Sequence, residues 1–148
     1  MVCLGNICRS PLAEGILKSK TSTEKVFVDS AGTGAYHVGE LPDRRSIAIA
    51  RENHIDLTDQ RARKFSVVDF EKFDIIYAMD NSNYNNILQL ARNEHDKQKV
   101  KLILNEVFPN DDLDVPDPYY GGNFGFKNVF EMLDKACDII AQNLDSDD

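Results

Sequence analysis

Met1-Val-Cys-Leu-Gly-Asn-Ile-Cys-Arg-Ser-Pro11 is the stretch that decides the fold. Met1 to Cys3 reads as the end of a strand and Cys3 to Ser10 as a loop. Pro11 suits the first turn of a helix, where its missing N–H leaves nothing unpaired. A loop curling into a helix N-terminus aims several backbone N–H groups at one point, and the helix dipole adds positive potential there. Such a turn cradles an anion. Gly5 is expected to take a backbone conformation closed to bulkier residues. Arg9, six residues after Cys3, offers a planar fork for two oxygens of a phosphate. Cys3 lies at the base of the cradle, and the donors that hold an anion also favour a thiolate over a thiol. A thiolate beneath a phosphate is an in-line nucleophile, and a hydrogen bond from Ser10 would ease its departure. Leu4, Asn6, Ile7 and Cys8 complete the loop. The Gly-Lys-Ser/Thr run of a nucleotide-binding loop is missing.

Outward from this motif, segment types alternate. The first helix should run to about Lys20, with Leu12, Ile16 and Leu17 inward. Lys25 to Ser30 reads as a second strand, followed by a glycine-rich loop to Leu41. Pro42 opens a second helix. Ser66-Val-Val-Asp69 has the form of a capping box on a short helix. Asp74 to Met79 is an apolar run of strand length, with a helix from about Asn81. Val100 to Leu104 is another strand, and Asn110 to Asn123 is loop. The last helix spans about Phe126 to Asn143, burying Val129, Phe130, Leu133, Ala136, Cys137 and Ile140. Strands alternating with helices imply an α/β fold with a parallel sheet covered on both faces. Ligands of such sheets bind beyond the C-terminal strand ends, where the Cys3 loop, Ser30 and Asp80 all fall.

The 148 residues fit a single domain, 1–148. The formal net charge of -8 argues against a nucleic-acid partner, though a local pocket can still be positive. No apolar run approaches the roughly 20 residues of a membrane span, and no signal peptide is visible, so the expected location is cytoplasmic. Three cysteines, Cys3, Cys8 and Cys137, make neither a disulfide framework nor a zinc site.

In order, Val2-Cys-Leu-Gly-Asn-Ile-Cys-Arg-Ser-Pro11, Val28-Asp-Ser-Ala31, Ala62-Arg63, Ala78-Met-Asp80 and Asp117-Pro-Tyr-Tyr120 resemble the landmarks of the low-molecular-weight protein tyrosine phosphatases over nearly the whole chain. The resemblance implies a three-layer fold with a four-stranded parallel sheet, the phosphate loop following the first strand. It also implies hydrolysis of phosphotyrosine in proteins through a phosphocysteine on Cys3. It makes Asp117, among the nearby Asp111, Asp112 and Asp114, the general acid and base, with Pro116 and Pro118 stiffening its loop. Tyr36, Tyr119 and Tyr120 are implied as walls of the cleft. Asn6 and Ser30 are expected to brace the loop, with Asn6 strained, and Asp80 to pair with Arg9. Where the family often has a histidine joining Asn6 and Ser30, this chain has Gln60, which is expected to retune the loop. Cys8 is read as a resolving thiol for an oxidised Cys3. No metal or cofactor is implied. The expected partners are a phosphotyrosine protein and inorganic phosphate or another oxyanion, with no membrane partner, and the chain is expected to be a monomer.

The family carries several apolar residues ahead of the motif cysteine, where this chain has only Met1 and Val2. The expectation is a natural start further upstream, or a chain of reduced stability. Three alternatives stay open. An arsenate reductase on this fold needs further cysteines near the third strand, and residues 75–95 contain none. A protein-arginine phosphatase favours a small hydroxyl residue where Ile7 stands. A non-catalytic phosphotyrosine-binding module would not need Cys3, Arg9 and Asp117 together.

Overall fold

In a computed structural model, residues 1–119 and 122–146 are described, the side chains of 122–124 and 146 excepted. Four short parallel strands, β1 (Val2–Cys3), β2 (Ala31–Gly32), β3 (Ile76–Ala78) and β4 (Val100–Leu102), form one sheet in the order β2-β1-β3-β4. Val2 pairs with Ala31 on one side and Ala78 on the other, and Ile76 pairs with Val100. The helices are α1 (Arg9–Lys20), α2 (Arg44–Glu52), α3 (Asp69–Lys72), α4 (Asn81–Leu90), α5 (Glu94–Gln98) and α6 (Gly122–Ser146).

Alternation along the strands sorts the core into two layers. Val2, Ile76, Ala78, Val100 and Leu102 face Phe65, Phe70 of α3 and Ile87 of α4. Cys3, Tyr77 and Met79 face the opposite side, with Leu12 and Ile16 of α1, Ala50 of α2 and Val129, Leu133 and Ile140 of α6. The stripe expected on the last helix is buried throughout. Helices therefore cover both faces, as expected for a three-layer α/β fold.

The second strand differs from the expectation of Lys25 to Ser30. Ladder pairing is confined to Ala31 and Gly32, which stand beside Val2 and Cys3 of β1. The Met1 carbonyl accepts from Ala31 N at 3.0 Å, and its ammonium donates to the Asp29 carbonyl at 3.1 Å. Among the described residues no strand lies beside Lys25–Ser30. Phe27 is 77 % exposed and stacks on Phe73 with ring centroids 5.8 Å apart. A groove of about 330 Å³ opens there, lined by Met1, Val26, Val28, Phe73 and Ile75.

Other boundaries shift by local chemistry. The fourth strand stops at Leu102 because Ile103–Glu106 winds into a 3₁₀ turn. Asn93 caps α5, a helix not read from the sequence, by accepting from Asp96 N at 2.9 Å. The Ser66 N–H does bond the Asp69 carboxylate at 2.9 Å, but the helix begins only at Asp69. No helix among the described residues is long and apolar enough to cross a membrane.

Candidate active site

The loop after β1 runs into α1 at Arg9, which places it at the helix N-terminus. Asn6 makes the turn at φ 58°. This is a left-handed conformation that a non-glycine residue holds only when its surroundings enforce it. They do so here. The Asn6 amide nitrogen donates to Ser10 Oγ at 2.8 Å and to Ser30 Oγ at 2.9 Å. Its amide oxygen accepts from the backbone N–H of Arg63 at 3.0 Å. Asn6 and Ser30 thus meet as expected.

Gly5 has a different reason from the one expected. It does not sit at positive φ; Asn6 takes that conformation instead. What Gly5 supplies is space, since a Cβ there would lie 3.2 Å from Cδ2 of His37. Gly32 is the tighter position. A Cβ on it would fall 2.7 Å from the Leu4 carbonyl oxygen, so the loop after β2 can approach the phosphate loop only with glycine. Thr33 N and Gly34 N then bond the carbonyls of Cys3 and Leu4, both at 2.9 Å. From the other side, Asp43 N holds the Ile7 carbonyl at 2.8 Å and Ser46 Oγ the Cys8 carbonyl at 3.3 Å.

Cys3 is buried, and its sulfur lies 3.0 Å from Ser10 Oγ. All three cysteines are free thiols. Burial, joined by the negative charge of Asp43, pushes the Cys8 thiol up to about 12. Cys8 therefore stays protonated near neutrality.

Arg9 is only 3 % exposed. Its Nη1 donates to Asp80 Oδ2 at 2.6 Å and to the Val115 carbonyl at 2.9 Å. Burial disfavours its charge, yet the neighbouring Cys3 and Asp80 more than offset this and hold the guanidinium above its ordinary value. Asp80 has two tasks, because its other oxygen caps α4 by accepting from Asn83 N at 2.7 Å. The second guanidinium nitrogen, Nη2, lies 3.8 Å from Asp117 Oδ2. Asp117 itself is partly exposed, and its Oδ1 accepts from Tyr119 N at 3.0 Å. The loop bearing it is pinned at its root, where Val115 N bonds the Met79 carbonyl at 2.8 Å. Asn81 N bonds Asp114 Oδ1 at 2.8 Å, tying the same loop to the start of α4.

Cys3, Leu4, Gly5, Ile7, Cys8, Arg9, Tyr36, His37, Asp117 and Tyr119 line one cleft of about 400 Å³. A cysteine sulfur, a fixed guanidinium and a carboxylate thus open onto one space with aromatic walls. Tyr36 stands exposed at the rim, and Tyr119 lies near Arg45, whose guanidinium carbon is 5.4 Å from its ring centroid. Tyr120 lies outside the described residues. Among those residues, no cluster of three or more His, Cys, Asp or Glu side chains could hold a metal ion.

Gln60 departs from its expected place. Its amide donates to the Pro11 carbonyl at 3.1 Å and reaches neither Asn6 nor Ser30. The buried carboxylate of Glu14 takes the position beside Ser30 instead, accepting from its hydroxyl at 2.6 Å. Glu14, His37, the Val115 carbonyl and the Arg63 N–H were not singled out from the sequence. Glu14 alone left a signal, a carboxylate one helical turn after Ser10 on an otherwise apolar stretch.

The model of the low molecular weight phosphotyrosine protein phosphatase family matches residues 1–148. The low molecular weight phosphotyrosine protein phosphatase of Schizosaccharomyces pombe is 44 % identical over 137 residues, covering 89 % of this chain and 86 % of that protein. The crystal structure of a protein tyrosine phosphatase from Entamoeba histolytica with Hepes in the active site superposes with a TM-score of 0.91 at 38 % identity, covering 98 % of this chain and 94 % of that one. A Drosophila arginine phosphatase structure also superposes, with a TM-score of 0.88 at 33 % identity, over 99 % of this chain and 97 % of that one. By sequence and by fold, the chain belongs to the low molecular weight phosphotyrosine protein phosphatases, cysteine-dependent hydrolases of phosphate monoesters.

Proposed function

We propose that the chain dephosphorylates tyrosine in proteins through a phosphocysteine on Cys3. The observation that carries this reading is the buried fork of Arg9, held by Asp80 and Val115, in the same cleft as Cys3 and Asp117. In the first step the Cys3 thiolate attacks phosphorus and the ester P–O bond breaks. Asp117, as the neutral acid, gives its proton to the departing phenol oxygen. In the second step the Asp117 carboxylate takes a proton from water, the water oxygen bonds phosphorus, and the S–P bond breaks to return the thiolate. Arg9 and the loop N–H groups hold the phosphoryl oxygens through both steps. Ser10, 3.0 Å from the sulfur, eases its departure. No metal or cofactor enters these steps.

A sulfonate buffer in the active site of the Entamoeba enzyme supports a tetrahedral oxyanion as the bound group. Ile7, Tyr36 and Tyr119 give the cleft apolar surface suited to a phenyl ring. That favours phosphotyrosine over phosphoarginine, the alternative raised by the Drosophila structure. The chain acts in this reading as one domain, as a monomer and in the cytoplasm. The test is turnover of p-nitrophenyl phosphate and a phosphotyrosyl peptide, beside a phosphoarginine peptide. Aryl phosphate turnover that vanishes in Cys3→Ser is expected. Activity that persists in that variant, or a preference for phosphoarginine, would sink the reading.

A further inference from the structure

A second cleft, of about 570 Å³, runs along α2, and none of the steps above uses it. Ala48, Ile49 and Phe126 supply its apolar surface, and Arg44, Arg45, Glu52 and Lys127 its charges. It adjoins the cleft of Cys3 where Arg45, which lines the one, stands with its guanidinium carbon 5.4 Å from the ring centroid of Tyr119, which lines the other. The root of α2 is also tied to the phosphate loop, through Asp43 N on the Ile7 carbonyl at 2.8 Å. The four charges are not equivalent. Arg45 is engaged: it bonds the Asp43 carboxylate at 3.1 and 3.2 Å, and its guanidinium carbon lies 4.6 Å from the Phe126 ring centroid. Arg44 and Lys127 are exposed and, among the described residues, form no ion pair and no side-chain hydrogen bond. Two uncommitted cations thus share one cleft on a chain whose formal net charge is -8. Arg44 opens α2, where the helix dipole adds positive potential. Glu52, also unpaired, closes the same helix, about 12 Å further along its axis. The positive end of the cleft is therefore the end beside the phosphate loop, and its negative end points away.

We propose that this cleft is a specificity subsite for carboxylate side chains next to the phosphotyrosine of a protein substrate, read by Arg44 and Lys127. The inference rests on the phosphotyrosine reading above and narrows its substrate class to acidic sequences. Charge complementarity selects the occupant. A peptide whose phosphotyrosine fills the first cleft and whose chain leaves over Tyr119 and Arg45 brings its next residues onto Ala48, Ile49 and Phe126. Glutamate there meets two cations that lack a carboxylate of their own. Glu52 sets the limit. An extended peptide covers the length from Arg44 to Glu52 in about four residues, so a carboxylate that far out meets a like charge.

The experiment measures kcat/KM on the full chain for two phosphotyrosyl peptides of equal length, with glutamate or glutamine at the positions flanking the phosphotyrosine on both sides. The overall negative charge of the protein, acting alone, would slow the glutamate peptide. With the subsite it should be the faster, by about three- to tenfold at low salt, the weight of two partly exposed ion pairs. In about 1 M salt, where charges are screened within about 3 Å, the advantage should vanish, and this measurement needs no variant. Arg44→Gln with Lys127→Gln should abolish the preference, while turnover of p-nitrophenyl phosphate and of the glutamine peptide stays within about twofold of wild type. Arg44→Glu with Lys127→Glu should reverse it. A glutamate peptide no faster than its glutamine twin, an advantage that persists in the double glutamine variant, or one indifferent to salt would each overturn the proposal. A wild-type chain without aryl phosphate turnover, or a Cys3→Ser variant that retains it, would instead remove the reading beneath it.

Discussion

Replacing Asp80 by asparagine and by alanine separates the two tasks of one carboxylate. Oδ1 caps α4 through Asn83 N, and Oδ2 grips Arg9. Asparagine caps a helix about as well as aspartate, whereas alanine is worse by about 1 kcal/mol. Both variants lose the anionic partner of a guanidinium that is 3 % exposed. Stranding a fully buried ion in this way costs about 3–5 kcal/mol. Here the Val115 carbonyl remains and the Asp80 side chain is 18 % exposed. The loss should therefore be smaller, about 1–3 kcal/mol. Asp80→Ala should then unfold about 2–4 °C below Asp80→Asn, since about 1 kcal/mol moves the midpoint by that much in a domain of this size. Activity should not distinguish them. Both free the fork of Arg9, and kcat/KM on p-nitrophenyl phosphate should fall about tenfold in each, the weight of one charge-assisted hydrogen bond. Thermal melts and initial rates on the three proteins suffice. Equal melting temperatures for the two variants would refute the capping role. A fully active Asp80→Asn would refute the claim that Arg9 depends on its partner.

Asp117→Asn should lower kcat on phenyl phosphates by about 10²–10⁴-fold while inhibition by inorganic phosphate changes only a few-fold, because a general acid serves the leaving group; an unchanged rate would remove Asp117 from that role. Gly32→Ala should cost about 1–3 kcal/mol and depress kcat, because the added methyl meets backbone of the phosphate loop. Gly5→Ala meets only the edge of the His37 ring and should melt close to wild type; the reverse order of melts would contradict the packing described. Cys8, pushed up to about 12, should resist iodoacetamide at pH 7 in the folded protein, as read by mass spectrometry. The thiolate is the reactive form, and its fraction rises about tenfold per pH unit below that value. A Cys3–Cys8 disulfide formed after peroxide should therefore appear faster at pH 9 than at pH 7, and a rate independent of pH would count against Cys8 as the resolving thiol.

The readable parts of the sequence were those whose reasons are local. Pro11, the Cys3-to-Arg9 spacing and the apolar stripe from Val129 to Ile140 each follow from one element's geometry, and they located the loop and the helices around it. The unreadable parts depend on neighbours. Whether Lys25–Ser30 joins a ladder is decided by which backbone stands beside it, not by its own β-branched residues. Gly5 looked like a residue chosen for its backbone, but its reason is the His37 ring, 32 residues on and in a different loop. Glu14 stands beside Ser30 where Gln60 is expected, because the choice rests on which side chain reaches Ser30, a matter of packing between α1 and the loop ahead of Arg63. The Val115 carbonyl could not be found at all, since a backbone oxygen carries no residue signature.

That carbonyl has a mechanical consequence. Arg9 grips it, and Asp117 follows only two peptide units later across Pro116. The Arg9 guanidinium and the Asp117 carboxylate are therefore set against each other by a short proline-bearing spacer rather than by the sheet. A residue added after Val115 would displace the Asp117 carboxylate from Arg9 by a full residue length, about 3.3–3.6 Å.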